Sequence, residues 1–146
     1  MIRITKKMEY ALMGLLHMSR KDWHELTTAK ELSQCYNIPS ELMGKVLQNL
    51  AKHDLIQSMQ GVKGGYRLMR SIEQVKMSDI ITAVEGPLKI VNCLRIKTTP
   101  ECHQQYHCTI KYPMGIIQDK LENLFSELTL QDIENDMTGH FRQIRQ

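Results

Sequence analysis

No apolar run in these 146 residues approaches the roughly 20 needed to cross a membrane. The opening stretch, MIRITKKMEYALMGLLHMSRKD, has a short apolar segment behind two lysines. It lacks a small-residue cleavage site and is interrupted by Glu9 and His17, which argues against a secretory signal. A cytoplasmic location is expected, and with it reduced thiols. There is no Cys-x-x-Cys pair, no phosphate loop and no nucleophile–base pattern, so an enzyme is not expected. Internal repeats and low-complexity segments are missing too. What remains is an ordinary apolar content of 42%, enough for one compact domain or for a small head with an oligomerising arm.

Charge is unevenly placed. Residues 1–76 carry 12 Lys/Arg against 7 Asp/Glu, and residues 77–146 carry 7 against 9. A basic front half suits a polyanion such as DNA. A first helix is expected over 5–20, capped by Thr5, with Met8, Leu12, Leu15 and Leu16 at helical spacing. The connector KDWHEL follows, with Trp23 packed beneath it. A second helix starts at Thr28, with Glu31 completing a capping box, and Asn37 breaks it. Pro39 and Ser40 then open a third helix whose inner face is Leu42, Val46, Leu47 and Leu50. Two short helices joined by a tight turn make a helix-turn-helix. The outer face of its second helix offers Ser40, Glu41, Gly44, Lys45, Gln48 and Asn49, mostly groups able to meet phosphates or base edges.

The strand-like LIQSM and YRLMR flank QGVKGG, in which Gly61, Gly64 and Gly65 are expected to supply positive φ angles. Lys63, Arg67 and Arg70 make this hairpin basic. A helix-turn-helix followed directly by a basic hairpin is a winged helix. A helix near 78–86 ends at Gly86, and Pro87 marks the stop. A long helix over 113–128 places Ile117, Leu121, Leu124 and Leu128 on one stripe. With little of its own domain left to cover that stripe, a partner subunit is expected. Thr129 caps a short helix, LQDIEND, and 137–146 reads as a frayed tail.

Between these parts lies CLRIKTTPECHQQYHC, which gathers Cys93, Cys102 and Cys108 with His103 and His107. A polar loop that concentrates sulfur is suited to hold a metal. Three thiolates fit an iron–sulfur cluster, zinc or copper(I). Zinc with either histidine would close a tetrahedral site, but the close ligand pairs usual for structural zinc are missing. Plain redox thiols are the third possibility.

The run ITKKMEYAL, then TTAKELSQCYNIPSELMGKVLQNLAKHDLIQSMQGVKGGYRL, a helix ending AVEG and the three-cysteine loop resemble the Rrf-two family of winged-helix regulators over roughly residues 1–135. The wing GVKGGYRL and the cysteine loop are the most specific parts. The resemblance implies a homodimeric transcription factor, without enzymatic activity, whose cluster (2Fe–2S or 4Fe–4S) is held by Cys93, Cys102 and Cys108. The first interval, Cys-x8-Cys, is longer than in IscR-like and NsrR-like members. Lys111 stands where IscR-like chains have a histidine. NsrR-like chains take an acidic residue of the partner's first helix, and Glu9 occupies that position; His103, His107 and Cys35 are its rivals. Met43 and Gly44 replace the Glu and Gln of the IscR-like third helix, so the operator is expected to differ.

The expected fold is mainly α with a small β-hairpin wing: a winged helix-turn-helix over 1–86, a cysteine-rich loop over 87–112, a dimerisation helix and short terminal helix over 113–136, and a flexible tail over 137–146. The expected function is repression from a pseudo-palindromic site in double-stranded DNA, controlled by a cluster that senses redox state, nitric oxide or iron–sulfur supply. Thr28, Ser40, Glu41, Lys45, Gln48, Asn49, Lys63 and Arg67 are the expected DNA contacts. A zinc-stabilised or thiol-controlled winged helix without a cluster is the alternative.

Overall fold

The computed structural model describes residues 3–91, 102–104 and 106–144, with side chains up to residue 137. Cys93 lies outside the described residues. Six helices and one hairpin make up the described chain: α1 (Lys6–Ser19), α2 (Ala29–Tyr36), α3 (Ser40–Lys52), β1 (Ile56–Met59), β2 (Gly65–Leu68), α4 (Met77–Glu85), α5 (Lys111–Glu127) and α6 (Leu130–Ile144). This is the mainly helical winged-helix architecture that the pattern implies. Among the described residues no helix is long and apolar enough to cross a membrane.

Local chemistry sets the helix starts. Thr5 Oγ1 accepts from the Met8 N–H at 3.3 Å, and Thr28 Oγ1 accepts from the Glu31 N–H at 3.0 Å, each satisfying a donor that a helix N-terminus leaves free. Asn37 ends α2 in the left-handed region at φ 52°, a conformation that asparagine tolerates. Pro39 occupies the position before α3, and Ser40 is already helical. The core of the head is formed by Ala11 and Leu15 of α1, Leu32 of α2, Met43, Leu47 and Leu50 of α3, and Ile80 of α4, all fully buried.

Val46, Leu47 and Leu50 of α3 are buried as expected, but Met43 fills the core position expected of Leu42, which is 46% exposed. Met43 lies three and four residues before Val46 and Leu47, so all three share one helical face. Leu42 falls at the edge of that face. Met43 is therefore a packing residue and not a base-reading one.

The two strands pair antiparallel from Ile56↔Leu68 to Met59↔Gly65. Thr27 adds a short third edge: its N–H donates to Tyr66 O at 2.9 Å and its carbonyl accepts from the Tyr66 N–H at 2.8 Å. Of the three wing glycines only Gly61 has positive φ, at 124°. Gly64 and Gly65 are required for space instead. A Cβ on Gly64 would lie 2.5 Å from Met59 O, and one on Gly65 would lie 2.9 Å from Thr27 O, both closer than carbon and oxygen can approach.

The C-terminal helices return to the head. Leu130 is fully buried, and a short backbone bridge joins its strand-like entry to residues 75–77. Leu130 N–H donates to Val75 O and Met77 N–H to Leu128 O, both at 2.8 Å. Thr129 and Asp132 cap α6 reciprocally: the Thr129 N–H donates to Asp132 Oδ2 at 2.9 Å, and the Asp132 N–H to Thr129 Oγ1 at 3.2 Å. Arg20 holds Glu134 with two hydrogen bonds of 3.0 and 3.1 Å. Helix α6 continues to Ile144, past the expected end at 136. On α5, Phe125 and Leu128 pack against the core, whereas Ile116, Ile117 and Leu124 stay exposed at 40%, 41% and 53%. Part of the α5 stripe is thus covered by the chain's own head and part is left open.

Candidate nucleic-acid interface and thiol segment

The helix-turn-helix is braced from below by a polar cluster. His17 of α1 places its two ring nitrogens against Tyr36 Oη at 3.1 Å and Glu31 Oε1 at 2.9 Å. Lys21 pairs with the same Glu31 oxygen. Burial pushes the Glu31 carboxyl up, but the hydrogen bonds from Lys21 and His17 outweigh it and hold the group below its ordinary range. Glu31 also accepts from the backbone of Thr28, the expected reach back to the start of its own helix, so one carboxylate both caps α2 and fastens it to α1.

Above this brace, Ser40, Glu41, Lys45 and Gln48 are exposed on α3, and Asn49 is half-buried. Glu41 and Lys45 form an i,i+4 ion pair of 3.1 Å. Such an exposed pair holds both side chains weakly, so each is available to a ligand. Thr28 is exposed, but its hydroxyl caps α2. On the wing, Lys63 is exposed at the turn beside Val62. Arg67 is differently placed. Its Nε and Nη2 donate to Gln57 Oε1 at 3.2 and 3.0 Å, and its guanidinium lies 5.1 Å over the Trp23 ring. Trp23, 56% exposed, is therefore a platform for Arg67 and does not lie under the connector. Arg70 faces Asp79 at 3.7 Å.

The thiol segment immediately precedes α5. Cys102 and Cys108 are free, half-buried thiols, and Cys35 is a free, exposed one on α2. Cys102 Sγ donates to Gln104 Oε1 at 3.6 Å, and a turn is closed by the His107 N–H on Gln104 O at 2.9 Å. His103 and His107 are exposed. Glu9 is held on α1 by Lys6 at 2.6 Å. Among the described residues no three His, Cys, Asp or Glu side chains converge as a metal-binding set, so Glu9 and Cys35 are not gathered with Cys102 and Cys108 within the described part of one chain.

Sequence reasoning missed Gln118. It is 4% exposed on α5. Its Nε2 donates to Leu88 O at 2.8 Å and to Glu122 Oε1 at 2.9 Å, and its Oε1 accepts from the Ile90 N–H at 3.1 Å. The amide splints residues 88–90, which lead towards Cys93, to the helix that follows Cys108. The only sequence signal was a polar residue set between Ile117 and Leu121.

The model of the Rrf2 family, described as "Iron-dependent Transcriptional regulator", matches residues 4–136. The NsrR regulator of Shouchella clausii is 25% identical over 135 residues, covering 90% of this chain and 88% of its own. In fold, the chain is similar to CymR, the global cysteine regulator of B. subtilis, with TM-score 0.68 and 22% identity over 91% of this chain and 96% of that one. It is also similar to T. potens IscR, with TM-score 0.68 and 20% identity over 93% and 88%. With the family match spanning nearly the whole winged helix, the thiol segment and α5, the chain belongs to the Rrf2 family of transcriptional regulators.

Proposed function

We propose that this chain is a homodimeric DNA-binding repressor whose affinity for a pseudo-palindromic site is set by an iron–sulfur cluster in the 93–108 segment. The observation that carries the reading is the position of two free, half-buried thiols, Cys102 and Cys108, at the entrance to a helix whose Ile116, Ile117 and Leu124 are uncovered. The donor chemistry fits: thiolates are the preferred ligands of such clusters. Cys93, Cys102 and Cys108 would hold the group, with Glu9 of the partner subunit as the fourth ligand and His103, His107 or Cys35 as its rivals. When bound, the cluster supplies a centre sensitive to redox state, nitric oxide and iron supply.

The chain's own residues give that centre a mechanical context. Cys108 lies just ahead of α5, and Gln118 ties the 88–90 segment to the same helix. Holding the thiols together constrains both ends of the loop relative to α5. The open apolar stripe of α5 pairs two subunits, so the spacing of the two α3 helices depends on how α5 is set against each head. A preference of roughly 1–3 kcal/mol between two settings suffices to control DNA affinity. In each head α3 enters the major groove with Ser40, Glu41, Lys45, Gln48 and Asn49, Thr28 lies at its flank, and Lys63 and Arg67 belong to the wing.

Anaerobically purified protein is expected to be coloured, to contain iron and sulfide, and to bind duplex DNA differently after the cluster is removed. Identical binding with and without the cluster would refute the sensing mechanism. The alternative is control by zinc or by the thiols alone. A colourless, iron-free preparation would select it.

A further inference from the structure

Helices α1 and α3 enclose a concavity of about 390 Å³ on the side of the head that carries the outer face of α3. Lys6, Lys7 and Tyr10 of α1 form one wall, and Lys45, Gln48 and Asn49 of α3 form the other. Its floor includes the side chains of Leu42 and Val46. The lining is mostly apolar, and three lysines border it and make its rim basic. Lys6 and Lys45 are each held by a single carboxylate, the half-buried Glu9 and the exposed Glu41, which a stronger anion can displace. Lys7 has no ion-pair partner among the described residues.

We infer that this hollow receives the sugar–phosphate backbone of duplex DNA, with Lys6 and Lys7 of α1 as phosphate contacts in addition to those of the helix-turn-helix and the wing. The inference rests on the proposed DNA-binding reading. Its geometry follows from sizes. A helix with side chains is about 10–12 Å across, close to the roughly 12 Å width of the major groove. When α3 lies in that groove, a phosphate strand must pass along each of its flanks. The α1 hollow is one flank of α3, and it shares Lys45, Gln48 and Asn49 with the groove-facing surface. Phosphate contacts of this kind fix position and carry no sequence information, so α1 would set register and affinity for any site that α3 reads.

The test measures binding of the full-length protein to two short duplexes of unrelated sequence as a function of salt. The proposed dimer carries two copies of the hollow, so Lys7→Gln is expected to reduce the slope of log K against log salt by about 1.8, and Lys6→Gln with Lys7→Gln by about twice that. The corresponding loss for Lys7→Gln is about thirtyfold at about 0.15 M salt and equal on both duplexes, while Lys7→Arg retains wild-type binding. Thermal melts of each variant separate lost contact from lost fold, and the Arg variant keeps the comparison decisive. If Lys7→Gln and the double variant bind like wild type while Lys45→Gln binds more weakly, the inference is overturned and the DNA-binding reading survives. If wild type binds neither duplex, both fall. Saturable uptake of inorganic phosphate that Lys7→Gln abolishes, with DNA binding unchanged, would also overturn the inference in favour of a small-anion site.

Discussion

Replacing Gln118 by leucine removes a buried amide of similar size and strands two backbone groups, the Ile90 N–H and the Leu88 carbonyl. A buried polar group left without a partner costs about 1–3 kcal/mol. Leu88 and Ile90 are half-buried, so water recovers part of each loss and the low end applies, about 1 kcal/mol per group. The leucine regains some of this through apolar burial against Leu121 and its neighbours. The expected net destabilisation is about 1.5 kcal/mol, or a fall of about 0.7 M in the urea midpoint for a slope of about 2 kcal/mol/M. The local effect is sharper than the global one. The Ile90 amide, now exchanging through a loosened 88–90 segment, should lose hydrogen-exchange protection while amides in α3 keep theirs relative to the new global stability. Gln118→Glu should cost more, because a carboxylate cannot donate to Leu88 O and stands against Glu122. An unchanged midpoint together with unchanged Ile90 protection in Gln118→Leu would refute the splint.

Three other perturbations test the rest of the framework. Leu130→Ala empties a fully buried site at the joint of α6 with the head and should cost about 3 kcal/mol in chemical denaturation; a change under about 1 kcal/mol would mean that the C-terminal helices are not packed as described. Because Glu31 is held below its ordinary value of 4.5, its pairing stabilises the fold above that pH and is lost as pH falls through the lower folded value. Wild type should therefore lose stability below pH 4.5 more steeply than Glu31→Gln, and parallel acid titrations of the two would contradict this. Ile117→Asp with Leu124→Asp places charge on the open stripe of α5 and should convert a dimer to monomers in sedimentation analysis without loss of helix content; an intact dimer would remove α5 from the interface.

Elements governed by neighbours in sequence were legible, and those governed by distant partners were not. Thr5, Thr28 and Thr129 cap their helices through residues three positions on, so the starts of α1, α2 and α6 could be placed from local pattern. On the inner face of α3, Val46, Leu47 and Leu50 were placed correctly, and only Leu42 was expected where Met43 stands. Leu42 and Met43 are both apolar, and only the packing of Met43 with Leu32 and Leu47 in the core cluster separates them. Gly64 and Gly65 were recognised as turn residues for the wrong reason, since the close approach of Met59 O and Thr27 O is a tertiary fact. Arg67 read as a free cation because its partners, Gln57 and Trp23, lie across the hairpin and in a separate connector. Gln118 was invisible because the groups it satisfies are 28 and 30 residues earlier. Of the cysteine segment, the sequence offered the donor types, and Cys102 and Cys108 are near the start of α5; the expected role of Cys93 falls outside the described residues.

On the proposed reading, these long-range contacts decide how a signal at the thiols would reach DNA. Helix α5 is attached to the head at two places. Near its middle, Gln118 holds the 88–90 segment, which follows α4. At its end, the bridge of Leu128 and Leu130 with Met77 and Val75 joins the start of α4. Both attachments bracket the same helix, and α4 packs on α3 through the buried Ile80 and Leu50 cluster. A shift of α5 cannot be absorbed by α4 alone without breaking buried hydrogen bonds, each worth about 1 kcal/mol, so head and α5 favour moving as one body within a subunit. The compliant joint is then the uncovered stripe of Ile116, Ile117 and Leu124, where only apolar contacts without fixed hydrogen-bond geometry would be made. If the thiol segment controls DNA affinity in a dimer as proposed, it would act most economically on how two subunits sit across α5, changing the separation of their α3 helices and leaving each winged helix internally unchanged.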